Sequence, residues 1–248
     1  MNSNLRVLLT ALLVLLPACP RPAIADQPAA AKRVVIVTGE DGSYHNWRET
    51  APVLKALLAK DPRLEVTLVE DPKFLAGPGL KKYDVAVLHF KNFDPKSPGP
   101  AAQRNLDEFV RGGGGLVLVH FACGAFQEWP EFVQLAGRVW NPKLRPHDPY
   151  GKFRVEIADQ EHPITRGMTP FDTSDELYTC LEGGVPIHVL ATAVSKVDRK
   201  TYPMAFVLEP GKGRTFHCVL GHDVRAFAAA GVGDLYRRGT AWAARLEP

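Results

Sequence analysis

Four histidines of this 248-residue chain fall just past, or at the end of, short apolar runs. His45 follows Arg33–Thr38 through a Gly39-Glu-Asp-Gly-Ser-Tyr segment, and His89 closes Tyr83–His89 and leads into Phe90-Lys91-Asn92. His120 closes Leu116–His120, and His222 follows Gly213–Leu220 in Gly221-His222-Asp223. Imidazole nitrogens joined by a carboxylate bind a divalent ion such as zinc or manganese. The same groups move protons near neutral pH without any metal. The carboxylates on offer are Asp175 and Glu176, in Asp172-Thr-Ser-Asp175-Glu176-Leu-Tyr178. Either suits a general base, an acceptor for sugar hydroxyls or a metal ligand. No HxH or HExxH spacing is present to choose between metal and metal-free chemistry.

Each residue also has a plain structural role available. His45 could cap the next helix, and His120 could be a hydrogen-bonded core residue. Asp223 could be the N-cap of a helix that follows His222. His147, in Arg145-Pro-His-Asp148, is evenly balanced between the two kinds of role. His162 precedes Pro163 and reads as a turn residue, while His188 and His217 lie in strand-like runs and read as structural. The functional reading makes His120, Asp175, Glu176 and His222 catalytic. It places His45, Trp47, Asn92, Tyr178 and Asp223 against substrate, with the Trp47 face stacking on a sugar. It offers His45, His120 and His222 to one divalent ion.

The elements that would carry these residues alternate. Arg33–Thr38, Leu64–Val69, Tyr83–His89 and Leu116–His120 read as strands, three of them continuous apolar runs suited to burial on both faces. Helices are expected over Arg48–Lys60, Gln103–Arg111 and Glu128–Ala136. This alternation implies an α/β fold with a doubly wound, mainly parallel sheet. In such sheets ligands bind beyond the carboxyl ends of the strands, where the four histidines converge. After about residue 140 the pattern changes. Asn141–Tyr150 reads as a loop, Phe153–Ile157, Ile187–Ala193, Met204–Leu208 and Gly213–Leu220 as strands extending the sheet antiparallel, and Asp234–Ala244 as a closing helix. The glycine run Gly112–Gly115 precedes a strand, whereas a phosphate-cradling loop follows one. No nucleotide cofactor is therefore expected.

Residues 1–25 have a short basic start, the apolar stretch Val7–Leu16 and the small-residue exit Ala23-Ile-Ala25, which reads as an export signal. A lipid anchor on Cys19, in Leu16-Pro-Ala-Cys19, is the minor alternative. Residues 26–32 read as a flexible lead and 33–246 as a single domain. The apolar stretch is shorter than the roughly 20 residues a membrane span needs, so no transmembrane span is expected. Without the leader the chain has 28 basic and 27 acidic residues. That balance argues against nucleic acid as a partner and leaves an uncharged small molecule as the expected ligand. Cys123, Cys180 and Cys218 are too few and too widely spaced for a disulfide framework. They are read either as one pair and a free thiol or as three buried thiols. Cys123-Gly124 invites a nucleophilic thiol, but no Gly-x-Cys-x-Gly elbow is present.

Taken together, the segments resemble the ThuA-like, trehalose-utilisation family of the class I glutamine amidotransferase-like superfamily. The resemblance rests on Val37-Thr-Gly39 followed by His45 and Trp47, on Tyr83-Asp84, and on Phe109 through Gly112–Gly115 to His120. It continues in His162-Pro-Ile-Thr165, Asp175-Glu-Leu-Tyr178, Gly211-Lys-Gly-Arg214, Leu220-Gly-His-Asp223 and Arg238-Gly-Thr-Ala-Trp242. It implies a flavodoxin-like sheet and a carbohydrate substrate, notably sugars oxidised to 3-keto forms. It also implies that His120 stands about where the amidotransferases carry their nucleophilic cysteine, and that His45, Asp175, Glu176 and His222 line the pocket. The expected activity is cleavage of a 3-keto-glycoside such as 3-keto-trehalose, by elimination and hydration or by hydrolysis. The rivals are a non-catalytic carbohydrate-binding module and a Cys123-dependent amidase.

Overall fold

The computed structural model describes residues 30–40, 44–94 and 98–248. The leader of residues 1–25, including Cys19, and most of the lead at 26–32 lie outside the described residues. The first half alternates: β1 (Lys32–Val37), α1 (Trp47–Leu58), β2 (Leu64–Val69), β3 (Val85–Leu88), α2 (Pro100–Arg111) and β4 (Gly115–Val119). Then come the single-turn α3 (Val133–Ala136), β5 (Val139–Trp140), β6 (Gly151–Ile157), β7 (Phe171–Asp175), β8 (Leu181–Glu182), β9 (His188–Val194), β10 (Thr201–Leu208), β11 (Arg214–Cys218), α4 (Val224–Ala228) and α5 (Ala230–Ala243). Among the described residues no helix is long and apolar enough to cross a membrane.

Nine of these strands form one sheet in the order β2-β1-β3-β4-β11-β10-β9-β6-β7. The first five are mutually parallel and the rest antiparallel to their neighbours. This is the doubly wound, flavodoxin-like sheet with antiparallel additions in the C-terminal half. Alternate residues of the central strands face opposite layers. Val34 and Ile36 pack with Leu54 and Leu58 of α1 and Leu235 and Tyr236 of α5, while Val35 and Val37 pack with Leu106 and Val110 of α2. Full burial of each such aliphatic side chain contributes on the order of 1.5–3 kcal/mol.

Two expectations are corrected here. β11 is not an antiparallel extension: after the β10–β11 hairpin it inserts beside β4 and runs parallel to it, at the centre of the sheet. Phe171–Asp175, to which the sequence reading assigned no element, is a strand that pairs with β6 at the sheet edge, where one face can stay solvated. The helix expected over Glu128–Ala136 shrinks to a 3-10 turn at Pro130–Phe132 followed by α3, since Gly137 stops it with a φ of 76°. All three cysteines of the described residues are buried free thiols.

Strand direction explains why one edge collects the chemistry. The carboxyl ends of β1, β3, β4 and β11 share an edge because these strands are parallel. From β11, four successive reversals through β10, β9 and β6 return β7 to the same direction, so Asp175 and Glu176 arrive at that edge too. β6 runs the other way and so begins there, which brings His147 and Tyr150 in from its amino end.

The turn leaving β1 is constrained. Gly39 has a φ of 115°, and a Cβ there would sit 2.1 Å from the carbonyl oxygen of Glu70. Gly39→Ala is therefore expected to destabilise the protein by at least about 2 kcal/mol, read as a lower urea midpoint. An unchanged midpoint would contradict the close approach.

Candidate metal centre

His120 is the first residue past β4 and has a φ of 45°, unusual for a residue with a side chain. The sharp turn throws its ring off the strand end into the space above the sheet. Nδ1 lies 2.7 Å from the Val219 carbonyl and, facing an acceptor, carries the proton. The lone pair is then on Nε2, which faces the other site groups and takes the Tyr178 O–H at 3.1 Å, a contact that a cation on Nε2 would replace.

The buried carboxylate of Asp175 sets the next two residues. Its Oδ2 accepts the Gly221 N–H at 2.7 Å, and its Oδ1 accepts those of Glu176 at 2.8 Å and His222 at 3.2 Å. The end of β7 is thereby tied to the turn after β11. Burial raises the Asp175 carboxyl pKa, although His120 and these N–H groups oppose the shift. Gly221, with a φ of 113°, permits the turn to pass over Phe227.

Glu176 then lies among three imidazoles. Oε2 is 3.1 Å from His222 Nδ1 and 3.5 Å from His120 Nε2, and Oε1 is 3.3 Å from His147 Nε2. The His222 contact is a close ion contact without the alignment of a hydrogen bond. Burial alone would raise the Glu176 carboxyl, but His120 and His222 prevail and hold it well below the usual range. Burial alone would lower His222, and the Glu176 carboxylate outweighs it, so that pKa rises.

His45 completes the group. Its ring stacks on Phe121 at 4.3 Å and stands 5.1 Å from both the His120 and the His222 ring. Its buried Nε2 has no hydrogen-bond partner. Burial, reinforced by His120 and His222, lowers its pKa to about 2, so the ring is neutral and its lone pair is available.

One ligand atom each from His45, His120, Glu176 and His222 lies within 4.8 Å of all the others. Ligands around a tetrahedral zinc at about 2.0–2.1 Å are roughly 3.4 Å apart, so the group needs to close only slightly. An orphaned imidazole nitrogen, two more neutralisable imidazoles and one ionised carboxylate fit zinc or manganese. The sequence reading offered the three histidines; Glu176 is the fourth donor.

Several expected residues do other work. Asp175 fixes backbone and does not face the cleft. Trp47 is only 6% exposed and is covered by the Arg48 guanidinium at 4.2 Å, so it offers no free face to a sugar. Asn92 is spent on the Phe126 N–H, which it accepts at 2.6 Å, and on Glu128, to which it donates at 3.1 Å. Asp223 is the N-cap of α4 and also accepts the Tyr150 hydroxyl at 3.1 Å. Tyr178 does line the cleft, with its hydroxyl on His120. His89 is wholly buried between the Thr38 and Thr50 hydroxyls, at 3.0 and 3.2 Å.

Beside the group opens a cleft of about 260 Å³, walled by Tyr44, Lys91, Phe93, Phe121, Trp140, Pro146 and His147 along with His45, Glu176 and Tyr178. Sequence reasoning missed most of these walls. Lys91 lies one residue from the Asn92 that was chosen, and His147 was evenly balanced. A roomier cavity of about 490 Å³ lies against α2, but its walls bring no imidazole. Cys123 is fully buried, and burial pushes its thiol well above the ordinary range, which removes the thiolate an amidase would need.

A family profile described as ThuA, trehalose utilisation, matches residues 33–243. No curated protein matches the sequence. Among solved structures, a ThuA-like protein from Parabacteroides merdae shares 26% identity at a TM-score of 0.75, over 86% of this chain and 90% of that one. A ThuA-like protein from Bacteroides uniformis shares 20% identity at a TM-score of 0.71, over 89% and 95%. A β-galactosidase from Bacillus circulans contains a similar fold, with 15% identity and a TM-score of 0.55 over 86% of this chain and 30% of that one.

Two measurements follow. Asp175→Asn places an amide where only N–H donors converge and is expected to cost about 1–3 kcal/mol in urea unfolding. No loss would contradict the tie between β7 and the Gly221 turn. For His89, burial lowers the pKa to about 3, against about 6.5 unfolded. As the pH falls through that window only the unfolded state gains the proton, so stability falls by up to about 1.4 kcal/mol per pH unit. Urea curves between those pH values should show a shallower loss for His89→Gln than for the parent; equal slopes would contradict it.

Proposed function

Because this chain belongs to the ThuA, trehalose utilisation, family, we propose that it cleaves 3-keto-glycosides. The observation that carries this reading is the convergence of three imidazoles and an ionised carboxylate at the inner end of an aromatic cleft. His45, His120, Glu176 and His222 would hold one divalent cation, zinc or manganese, whose chemistry is to polarise a carbonyl oxygen.

The ketone at C3 makes the C2 hydrogen acidic. His147, whose Nδ1 lies 2.7 Å from the Asp148 carbonyl and whose Nε2 is 3.3 Å from Glu176, would receive the proton from C2. The C–H electron pair becomes the C1–C2 double bond, and the C1–O bond breaks with its pair on the departing oxygen, which takes the proton from His147 and leaves as the alcohol. Water then adds, its oxygen to C1 and a hydrogen to C2, leaving the free 3-keto sugar. The fixed His120 tautomer and the Asp175 tie support this reading because they hold the reacting groups without reorganisation.

Purified protein mixed with 3-keto-trehalose or a 3-keto-glucoside is expected to release 3-keto sugar. EDTA should abolish the release, and Glu176→Gln should lower it by about 100-fold or more. No release with or without EDTA, and none from the unoxidised glycosides, would contradict the proposal. Glycan binding that survives His120→Ala and His222→Ala without turnover would instead identify a binding module.

A further inference from the structure

The cleft changes character from its inner to its outer end. Innermost, Phe121 stacks on His45 and the Tyr178 ring stands 4.5 Å from His120. Farther out, Trp140 meets Tyr178 edge-on at 5.6 Å, and the Lys91 ammonium lies 4.7 Å from the Trp140 ring centre and 5.4 Å from that of Phe93. At the mouth, Phe93 is 52% and Tyr44 77% exposed. The imidazoles and Glu176 all belong to the inner end, and the Tyr178 hydroxyl is already bonded to His120. The outer half therefore presents mainly ring surface and one ammonium.

A second sugar seated there would set several hydroxyls against few polar groups, the Lys91 ammonium, the Trp140 indole N–H and the Tyr44 hydroxyl, and each hydroxyl left unpaired is costly. A flat aromatic ring buries its faces against Trp140, Phe93 and Tyr44 without that cost. The Lys91 stem is held by close packing on Gly124, where a Cβ would sit 3.0 Å from the lysine Cδ. Among the described residues this ammonium is met by rings and not by a carboxylate. A fixed cation of that kind is suited to an oxygen on which negative charge develops.

We propose that the outer half of the cleft is a leaving-group subsite for an aromatic alcohol, with the Lys91 ammonium stabilising the phenolate oxygen as it departs. The chemical step rests on the 3-keto-glycoside reading: the proton leaves C2, the C1–O bond breaks, and its electron pair stays on the aryl oxygen beside Lys91. The subsite itself can be tested without turnover.

Calorimetric titration of the full chain should show phenyl glucoside binding at least about tenfold tighter than methyl glucoside or trehalose. Trp140→Leu should erase the difference. Equal affinities, or tighter trehalose, would overturn the subsite. Bound 4-nitrophenol, followed by the absorbance of its phenolate, should ionise about one pH unit below the free compound, because a cation within reach favours the charged form. Lys91→Met should remove that shift; no shift in the parent protein, or one that persists in Lys91→Met, would overturn the role of Lys91. If the two binding results hold while 3-keto-aryl glucosides and 3-keto-trehalose are both inert, the oxidised-sugar reading fails and the aromatic subsite stands.

Discussion

The buried carboxylate of Asp175 is the interaction on which the candidate centre depends. It gathers three backbone N–H groups from two chain segments far apart in sequence, at the end of β7 and the turn after β11. Glu176 and His222 take their positions directly from that tie. His120 takes its own from the Val219 carbonyl in the same stretch after β11. Three of the four donor atoms thus refer to one short run, Val219–His222, and only His45 is anchored elsewhere, on Phe121.

Electrostatics makes this arrangement expensive without a cation and suited to one with it. Burial, reinforced by the neighbouring imidazoles, strips His45 of its proton well into acid. Glu176 offsets part of this cost by standing ionised among them. The result is a set of lone pairs held in place before any ligand arrives. A polar group left unpaired in a protein interior is a cost that structures seldom bear without a use. The His45 Nε2 is such a group.

The amino-acid sequence carried much of this. Buried parallel strands announce themselves as continuous apolar runs, so the ends of β1, β3 and β4, and the histidines beyond them, were legible. β11 was legible as a strand but not in its place, because apolar content does not tell which neighbours a strand joins. Phe171–Asp175 lacked a signal, since an edge strand with four polar residues out of five shows no apolar alternation. With that strand unseen, nothing separated Asp175, which points into the backbone, from Glu176, which points into the site. His147 escaped because β6 runs opposite to the parallel strands and delivers residues from its amino end. Trp140 lies on a two-residue strand, too short for any periodicity. Trp47 misled because an aromatic beside a glycine-rich turn can as well be the first buried residue of a helix.

The central claim is that His45, His120, Glu176 and His222 form one divalent-cation site, and metal analysis tests it most directly. Protein purified without chelator or nickel resin, stripped and then refilled with zinc or manganese, should hold about one equivalent after desalting, as expected for a four-donor protein site. His120→Ala and Glu176→Gln, both folded by circular dichroism, should hold far less. A parent protein that retains no metal, or variants that retain as much as the parent, would contradict the account.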